Sequence, residues 1–303
     1  MTDPKRSLLD PAVLAKLGTL KLRVRAVTEG ILSGLHRSPH HGQSVEFAEH
    51  KEYAPGDDVR RIDWKAYGKF DKYYVKQFEQ ETNLRCYLVV DASGSMGWRG
   101  AEGRLTKLEY ASSLAASLAY LLVRQADAAG LVLCGDRVVR AIPPAASAGH
   151  LVPLLDALSG AVPAGETRLG AAVDWIVEHA PRRAAVVVLT DLFDKDERAL
   201  KQLAQLARRK HEVTLFHVLD PAELDFGYED ASSFQDLESG EQIPVVPESL
   251  AAEYRSMITA HIEALTTKFS EHRIDYTLLN TAEPLDRALF SYLSSRERLM
   301  RVR

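Results

Sequence analysis

An apolar run that ends in three oxygen-bearing side chains constrains this chain more than any other stretch of its sequence. Residues 88–90 are Leu-Val-Val, which is typical of a strand buried on both faces of a parallel sheet. Asp91, Ser93 and Ser95 follow at alternate positions, and Gly94 allows a tight turn between the two serines. Ligands of open α/β sheets bind at the carboxyl ends of the strands. These side chains therefore lie where a binding site is expected.

The oxygens of Asp91, Ser93 and Ser95 have two interpretations. Three small oxygen ligands on one short loop suit a hard divalent cation such as Mg²⁺. Aspartate and serine are also good N-cap residues, so the same pattern could simply begin the helix that follows. The choice depends on whether other strand ends supply matching oxygens, because a short motif alone is weak evidence.

The sequence after Asp91 alternates between apolar runs that predict strands and segments that predict helices. The predicted strands span residues 130–134, 138–142, 184–189, 213–218 and 274–279, and the predicted helices span residues 105–127, 148–158, 168–180, 196–210, about 248–271 and 284–299. This alternation predicts an α/β fold class, Rossmann-like, with a mainly parallel central sheet and helices on both faces. We expect this domain to occupy residues 83–303.

An acidic insertion at about residues 221–247 interrupts the alternation. Residues 234–238 and 242–246 flank Ser239-Gly240, and this pattern predicts a β-hairpin. Because the insertion follows a predicted strand, the hairpin can project near the ligand-binding end of the sheet.

Residues 1–82 are predicted to form an N-terminal α+β extension. Leu20 and Val24 begin a helical spacing of apolar residues, so we expect an amphipathic helix that packs on a protein core rather than on a membrane. Residues 73–79 alternate in polarity like a strand. We expect them to form a hairpin with the strand that ends at Asp91.

The charge and the cysteine content of the sequence limit the classes of partner and the cellular compartment to be expected. A formal net charge of −4 gives no reason to expect nucleic acid or an anionic membrane as the partner. Cys86 and Cys134 both lie in apolar runs, which favours two buried free thiols in a reducing compartment. The first ten residues lack the apolar stretch of a signal peptide, and no window reaches the ~18–20 apolar residues of a membrane span. These features predict a cytoplasmic protein.

Two later segments supply the matching oxygens. Asp191 follows Thr190 at the end of a second apolar strand, so it should lie at the same sheet edge as Asp91. Thr167 lies in a polar loop before a predicted helix and offers one more hydroxyl. The alternatives remain that Thr167 is an N-cap and that Asp191 is a turn residue.

In this order, Asp91-x-Ser93-x-Ser95, Thr167 and Asp191 resemble the metal-ion-dependent adhesion site of von Willebrand factor A domains. The resemblance covers about residues 84–303. It implies a Mg²⁺ or Mn²⁺ ion bound directly by the two serines, and bound by the two aspartates directly or through water. It also implies that Thr167 joins in one of two states and that an acidic residue of a protein partner completes the site.

A second, longer motif lies in the N-terminal extension. Its residues are Tyr53-x-Pro55-Gly56-Asp57-Asp58-x-Arg60-x-Ile62-Asp63-Trp64-Lys65, followed by Val75-Lys76-x-Phe78-x-x-Glu81. This motif resembles the bacterial "domain of unknown function 58" family. The resemblance implies a non-enzymatic adaptor or binding partner of a MoxR-type AAA+ ATPase. Many family members also carry transmembrane helices, whereas this sequence shows no such segment.

Two other functions remain open from the sequence. Carboxylates around Mg²⁺ also suit a phosphatase-like hydrolase. Against it, the D-x-S-x-S loop contains no Lys, Arg or His, and no base is identifiable for Ser93 or Ser95 as a nucleophile. A purely structural subunit with a vacant site is the third possibility.

Overall fold

The computed structural model describes residues 84–289, except 182, 194–197, 229–231, 236, 239 and 246, together with residues 20, 23, 24, 28, 51, 52, 67 and 73–75. The chain divides into two compact units, one formed by Met1–Leu32 with Asn83–Arg303 and the other by Ser33–Thr82. Residues 53–65 of the N-terminal motif and the end of the last predicted helix, beyond 289, lie outside the described residues.

The smaller unit contains a two-stranded antiparallel sheet. Strand β1 (Lys51–Glu52) pairs with β2 (Tyr74–Val75), and the rings of Tyr67 and Tyr73 stack with centroids 4.5 Å apart. The predicted hairpin between β2 and the strand that ends at Asp91 is therefore wrong. That strand is flanked on both sides by parallel partners, as its continuous apolar sequence requires, and has no free edge for β2.

The larger unit is built on a six-stranded sheet. Its strands are β3 (Arg85–Asp91), β4 (Ala128–Cys134), β5 (Val138–Ala145), β6 (Ala185–Thr190), β7 (Glu212–Leu219) and β10 (Asp275–Asn280), and a separate hairpin consists of β8 (Ser232–Gln235) and β9 (Gln242–Val245). Its helices are α1 (Lys107–Arg124), α2 (Leu151–Ser159), α3 (Leu169–His179), α4 (Arg198–Arg208), α5 (Pro221–Asp225) and α6 (Pro247–Glu271), with 3-10 turns at Gly94–Gly97 and Ala148–His150.

The order of the strands confirms the predicted fold class. They run β10-β7-β6-β3-β4-β5, and all neighbours are parallel except β4 and β5, which are antiparallel. This is a Rossmann-like sheet of the von Willebrand factor A type, with β3 near its centre. The carboxyl ends of β3 and β6 therefore lie side by side, as the placement of Asp91 and Asp191 requires.

Successive side chains of β3 enter two different hydrophobic cores. Leu88 and Val90 pack with α1 and α2 on one face, while Tyr87 and Val89 pack with α3 and α4 on the other. Both faces of the strand are covered, which is why its sequence is apolar without alternation. Fully buried alanines of α1, among them Ala111, allow this helix to approach the sheet closely.

Two other features agree with, or extend, the predictions. The predicted hairpin is confirmed, since β8 and β9 pair antiparallel, and Leu20 and Val24 are helical and buried in the larger unit's core. The rest of that predicted N-terminal helix is outside the described residues. Strand β5 continues through Pro143 and Pro144, where the sequence predicted an end, because an edge strand tolerates residues that lack an N–H.

Substitution of Gly130 by alanine is expected to lower the free energy of unfolding by about 1–3 kcal/mol through overpacking. A Cβ on Gly130, in β4, would lie 2.8 Å from the backbone nitrogen of Pro144 and 2.9 Å from the carbonyl oxygen of Ile142, and neither atom can move alone. Urea unfolding would measure the loss. Gly149→Ala is the control, because a Cβ there meets nothing within 4 Å and should change stability by less than about 0.5 kcal/mol. Equal effects of the two substitutions would contradict the packing argument.

Candidate metal centre at the carboxyl edge of the sheet

Asp91 is buried at the end of β3, with only 1% of its surface exposed. One carboxylate oxygen accepts a hydrogen bond from the Ser93 backbone N–H at 2.9 Å, and the other accepts one from the Thr190 hydroxyl at 2.7 Å. Burial and the nearby charge of Asp191 raise the pKa of Asp91 to about 7. A buried carboxylate with a second negative charge nearby favours the binding of a positive charge.

The two serines of the loop face one another. Their hydroxyl oxygens are 3.1 Å apart, Ser93 is fully buried and Ser95 is partly buried. Ser93 precedes the 3-10 turn Gly94–Gly97, but its side chain makes no capping hydrogen bond. The long helix α1 has its own capping box, formed by Thr106 and Glu109. The helix-cap interpretation of these serines therefore does not describe the structure.

The loop that carries Thr167 (the Thr167 loop) is joined by a hydrogen bond to the loop that carries Ser93 and Ser95 (the serine loop). The backbone N–H of Gly94 donates to the carbonyl oxygen of Gly165 at 2.9 Å. Thr167 itself is 4% exposed, and its hydroxyl donates to Glu238 Oε1 at 2.8 Å. The residue at the N-cap of α3 is Arg168, so Thr167 is not a helix cap.

Asp191 lies at the end of β6, with both carboxylate oxygens in contact with other groups of the protein. Oδ2 accepts a hydrogen bond from Lys107 Nζ at 2.7 Å, and Oδ1 accepts one from the Phe193 N–H at 3.3 Å. Lys107 is completely buried and also donates to Glu223 Oε1 at 2.6 Å. Burial alone would lower the pKa of Lys107, but the carboxylates of Asp191 and Glu223 outweigh it and hold the pKa above its ordinary value. Asp191 is thus better placed to reach a cation through water than directly.

His217, in β7, fixes the backbone beside Asp191. Its Nε2 lies 3.0 Å from the Asp191 carbonyl oxygen, and its Nδ1 lies 2.7 Å from the Tyr276 hydroxyl. Burial lowers the pKa of His217 to about 4, so the ring is neutral near pH 7. Because a carbonyl oxygen only accepts, Nε2 carries the proton, and Nδ1 accepts from the tyrosine.

The chemistry of these donors fits a hard divalent cation. The hydroxyls of Ser93, Ser95 and Thr167 each retain acceptor lone pairs, and the carboxylates of Asp91 and Asp191 supply negative charge. Within the described part of the chain, no three His, Cys, Asp or Glu side chains converge as a metal-binding group. The candidate set differs from such a group because three of its five residues contribute hydroxyls. The metal-ligand roles of the five residues remain a prediction.

Five residues of this region were not singled out as members of the site by sequence reasoning: Lys107, Thr190, His217, Glu223 and Glu238. His217 carried a usable signal, because it is the one ionisable residue of the predicted strand 213–218. Lys107 is separated from Asp191 by 84 residues of sequence and from Glu223 by 116. No local spacing in the sequence encodes contacts over such distances.

The chain matches one protein family over most of its length. The family described as "Protein of unknown function DUF58" matches residues 49–264. Proteins from Mycobacterium tuberculosis and Mycobacterium bovis, both named only as uncharacterized, are each 30% identical over 234 residues, which cover 76% of this chain and 73% of theirs.

Several solved structures are similar at low sequence identity. The conserved hypothetical protein BatB from Bacteroides thetaiotaomicron is 16% identical, with a TM-score of 0.47, and the match covers 71% of this chain and 99% of that one. An aerotolerance-related membrane protein from Bacteroides fragilis is 17% identical, with a TM-score of 0.45 and coverages of 69% and 96%. The VWA domain of SpRpn10 is 8% identical, with a TM-score of 0.38 and coverages of 67% and 91%. Likeness at these scores says nothing about activity.

The predicted cytoplasmic location is contradicted, because a structural neighbour is described as a membrane protein. That prediction was wrong in its reasoning, since it rested on the absence of a leader or an apolar span from the sequence. In the part of the chain that the structure describes, no helix is both long and apolar enough to cross a membrane.

Proposed function

The chain belongs to the DUF58 family of proteins of unknown function, and we propose that its α/β domain is a metal-dependent protein-binding module rather than an enzyme. The observation that carries this proposal is the meeting of the serine loop, the Thr167 loop and the carboxylate of Asp91 at one edge of the sheet. Ser93, Ser95, Thr167 and Asp91 would hold Mg²⁺ or Mn²⁺, with Asp191 acting through water.

A bound cation would supply positive charge that attracts an acidic side chain of the partner. The residues of the site would leave much of the cation's positive charge uncompensated. Because Lys107 already neutralises part of the negative charge of Asp191, that carboxylate would cancel less of the charge of the ion. The Thr190 hydroxyl and the Ser93 N–H hold the Asp91 carboxylate in one orientation. We propose a MoxR-type AAA+ ATPase as the partner, on the strength of the family resemblance.

The surroundings of the serines support binding rather than hydrolysis. A nucleophilic serine needs a neighbouring base that takes its proton. Among the described residues around the site, His217 is neutral and bonded on both nitrogens, and Lys107 is buried between two carboxylates. Neither group is placed to serve Ser93 or Ser95.

Substitution of Asp91 by alanine is expected to abolish metal-dependent capture of the partner without unfolding the chain. The chain would be used as bait in a native lysate, in millimolar Mg²⁺ and again in EDTA, and circular dichroism would check that the variant is folded. Asp174→Ala is the matched control, since Asp174 is an exposed acid on α3 that pairs with Gln202.

A protein retained by the wild type and by the control, only in Mg²⁺, would support the proposal and identify the partner. Capture that is the same in Mg²⁺ and in EDTA, and the same for the wild type and Asp91→Ala, would contradict the proposal. Turnover of a generic phosphoester that depends on Asp91 would instead favour the hydrolase.

A further inference from the structure

An acidic side chain from the chain's own hairpin lies at the candidate site. Glu238, in the turn between β8 and β9, accepts the hydrogen bond from the Thr167 hydroxyl at 2.8 Å. The backbone next to it is equally close, because a Cβ on Gly94 would lie 2.7 Å from the carbonyl oxygen of Leu237. The hairpin turn therefore lies directly against the serine loop and the Thr167 loop.

The direction of this hydrogen bond leaves Thr167 able to bind a cation. A hydroxyl has one proton and two acceptor lone pairs. With its proton directed to Glu238, Thr167 presents its lone pairs elsewhere, and the carboxylate makes its oxygen more electron-rich. Carboxylates that accept a hydrogen bond from a metal ligand orient that ligand and raise its basicity.

Aromatic contacts hold the hairpin in this position. Phe226 stacks on Phe234 with centroids 5.6 Å apart and also lies 4.6 Å from the ring of Tyr254, while Tyr228 meets Phe234 edge-on at 4.8 Å. The Tyr254 hydroxyl donates to the backbone carbonyl of Glu223 at 2.8 Å. Since Glu223 binds Lys107, the base of the hairpin is connected to the same buried ion pairs that hold Asp191.

We infer that Glu238 is a sixth residue of the cation site, which acts through Thr167 and supplies from within the chain an acidic group of the kind expected from a partner. This inference rests on the proposed metal-binding function and deepens it. Among the acids of the insertion that the structure describes, Glu238 is the one that accepts the hydrogen bond from Thr167.

Calorimetric titration of Mn²⁺ into the chain tests the inference without an identified partner. Glu238→Gln keeps an oxygen that can accept from Thr167 but removes the charge, and is expected to weaken Mn²⁺ binding by about tenfold, as for other partners of metal ligands. Glu166→Gln is the matched control. Glu166 lies next to Thr167 in the sequence, but its exposed carboxylate faces Arg168 at 3.2 Å. The control should bind Mn²⁺ within about twofold of the wild type.

A double-mutant cycle with Thr167→Ala tests whether Glu238 acts through that hydroxyl. In the Thr167→Ala background, Glu238→Gln is expected to change the affinity by less than about twofold. An undiminished effect in that background, or wild-type affinity in Glu238→Gln itself, would overturn the inference. If Asp91→Asn still abolished Mn²⁺ binding, the proposed function would stand. A wild-type chain that binds no Mn²⁺ would overturn both.

Discussion

Replacement of Lys107 by methionine is expected to lower the free energy of unfolding by about 3–5 kcal/mol. The side chain is completely buried, and its ammonium group holds the carboxylates of Asp191 and Glu223 at 2.7 and 2.6 Å. Methionine retains most of the volume but removes the charge. Asp191 and Glu223 would then remain at the sheet edge without the ammonium group that neutralises them. The free-energy cost of an uncompensated buried charge exceeds the cost of lost packing.

Urea unfolding in EDTA, which removes any contribution of metal, is the measurement. Lys201→Met serves as the control, because Lys201 is an exposed residue of α4 and its loss should change stability by less than about 0.5 kcal/mol. A Lys107→Met variant as stable as this control would mean that the two carboxylates are satisfied by other groups, and that the buried ion pairs do not hold this edge of the sheet.

Mn²⁺ at about one hundred times its dissociation constant is expected to raise the free energy of unfolding by about 2.7 kcal/mol, because the ion binds the folded chain and not the unfolded one. In Asp91→Asn this increase should disappear. Without metal, the variant should remain within about 1 kcal/mol of the wild type, since asparagine removes a buried charge that lies close to Asp191. Chemical unfolding with and without Mn²⁺ measures both effects.

Asp174→Asn provides the comparison for this experiment as well, because it makes the same chemical change at an exposed position on α3. Its response to Mn²⁺ should equal that of the wild type. A response to Mn²⁺ that Asp91→Asn retains as fully as this control would show that the ion acts elsewhere on the chain, as in screening of surface charge. No response in the wild type would contradict the candidate site itself.

The sheet and the identity of its edge residues were predictable because each rests on a local pattern. A strand covered on both faces must be apolar throughout, so β3 and β6 were visible as runs of Val and Leu, and their polar ends marked Asp91 and Asp191. The hairpin was visible in the same way, from two short strands around Ser239-Gly240.

The residues that surround the site were not predictable, because their contacts join distant segments. Lys107 begins α1 and contacts Asp191 across 84 residues of sequence, and Thr167 contacts Glu238 across 71. Nothing in the local sequence around these residues distinguishes them from polar residues that are exposed to solvent. The incorrect pairing of β2 has the same origin, since alternation identifies a strand but does not specify its neighbour.

The two prolines of β5 affect how this protein can associate with others. β5 is the outermost strand on one side of the sheet, and such an edge can add a strand from another chain by β-augmentation. Pro143 and Pro144 leave two successive positions of that edge strand without hydrogen-bond donors. A peptide that pairs along β5 would meet this interruption. Recognition by main-chain pairing is therefore disfavoured on that side of the sheet, whereas the carboxyl edge, with its acids and hydroxyls, offers recognition through side chains.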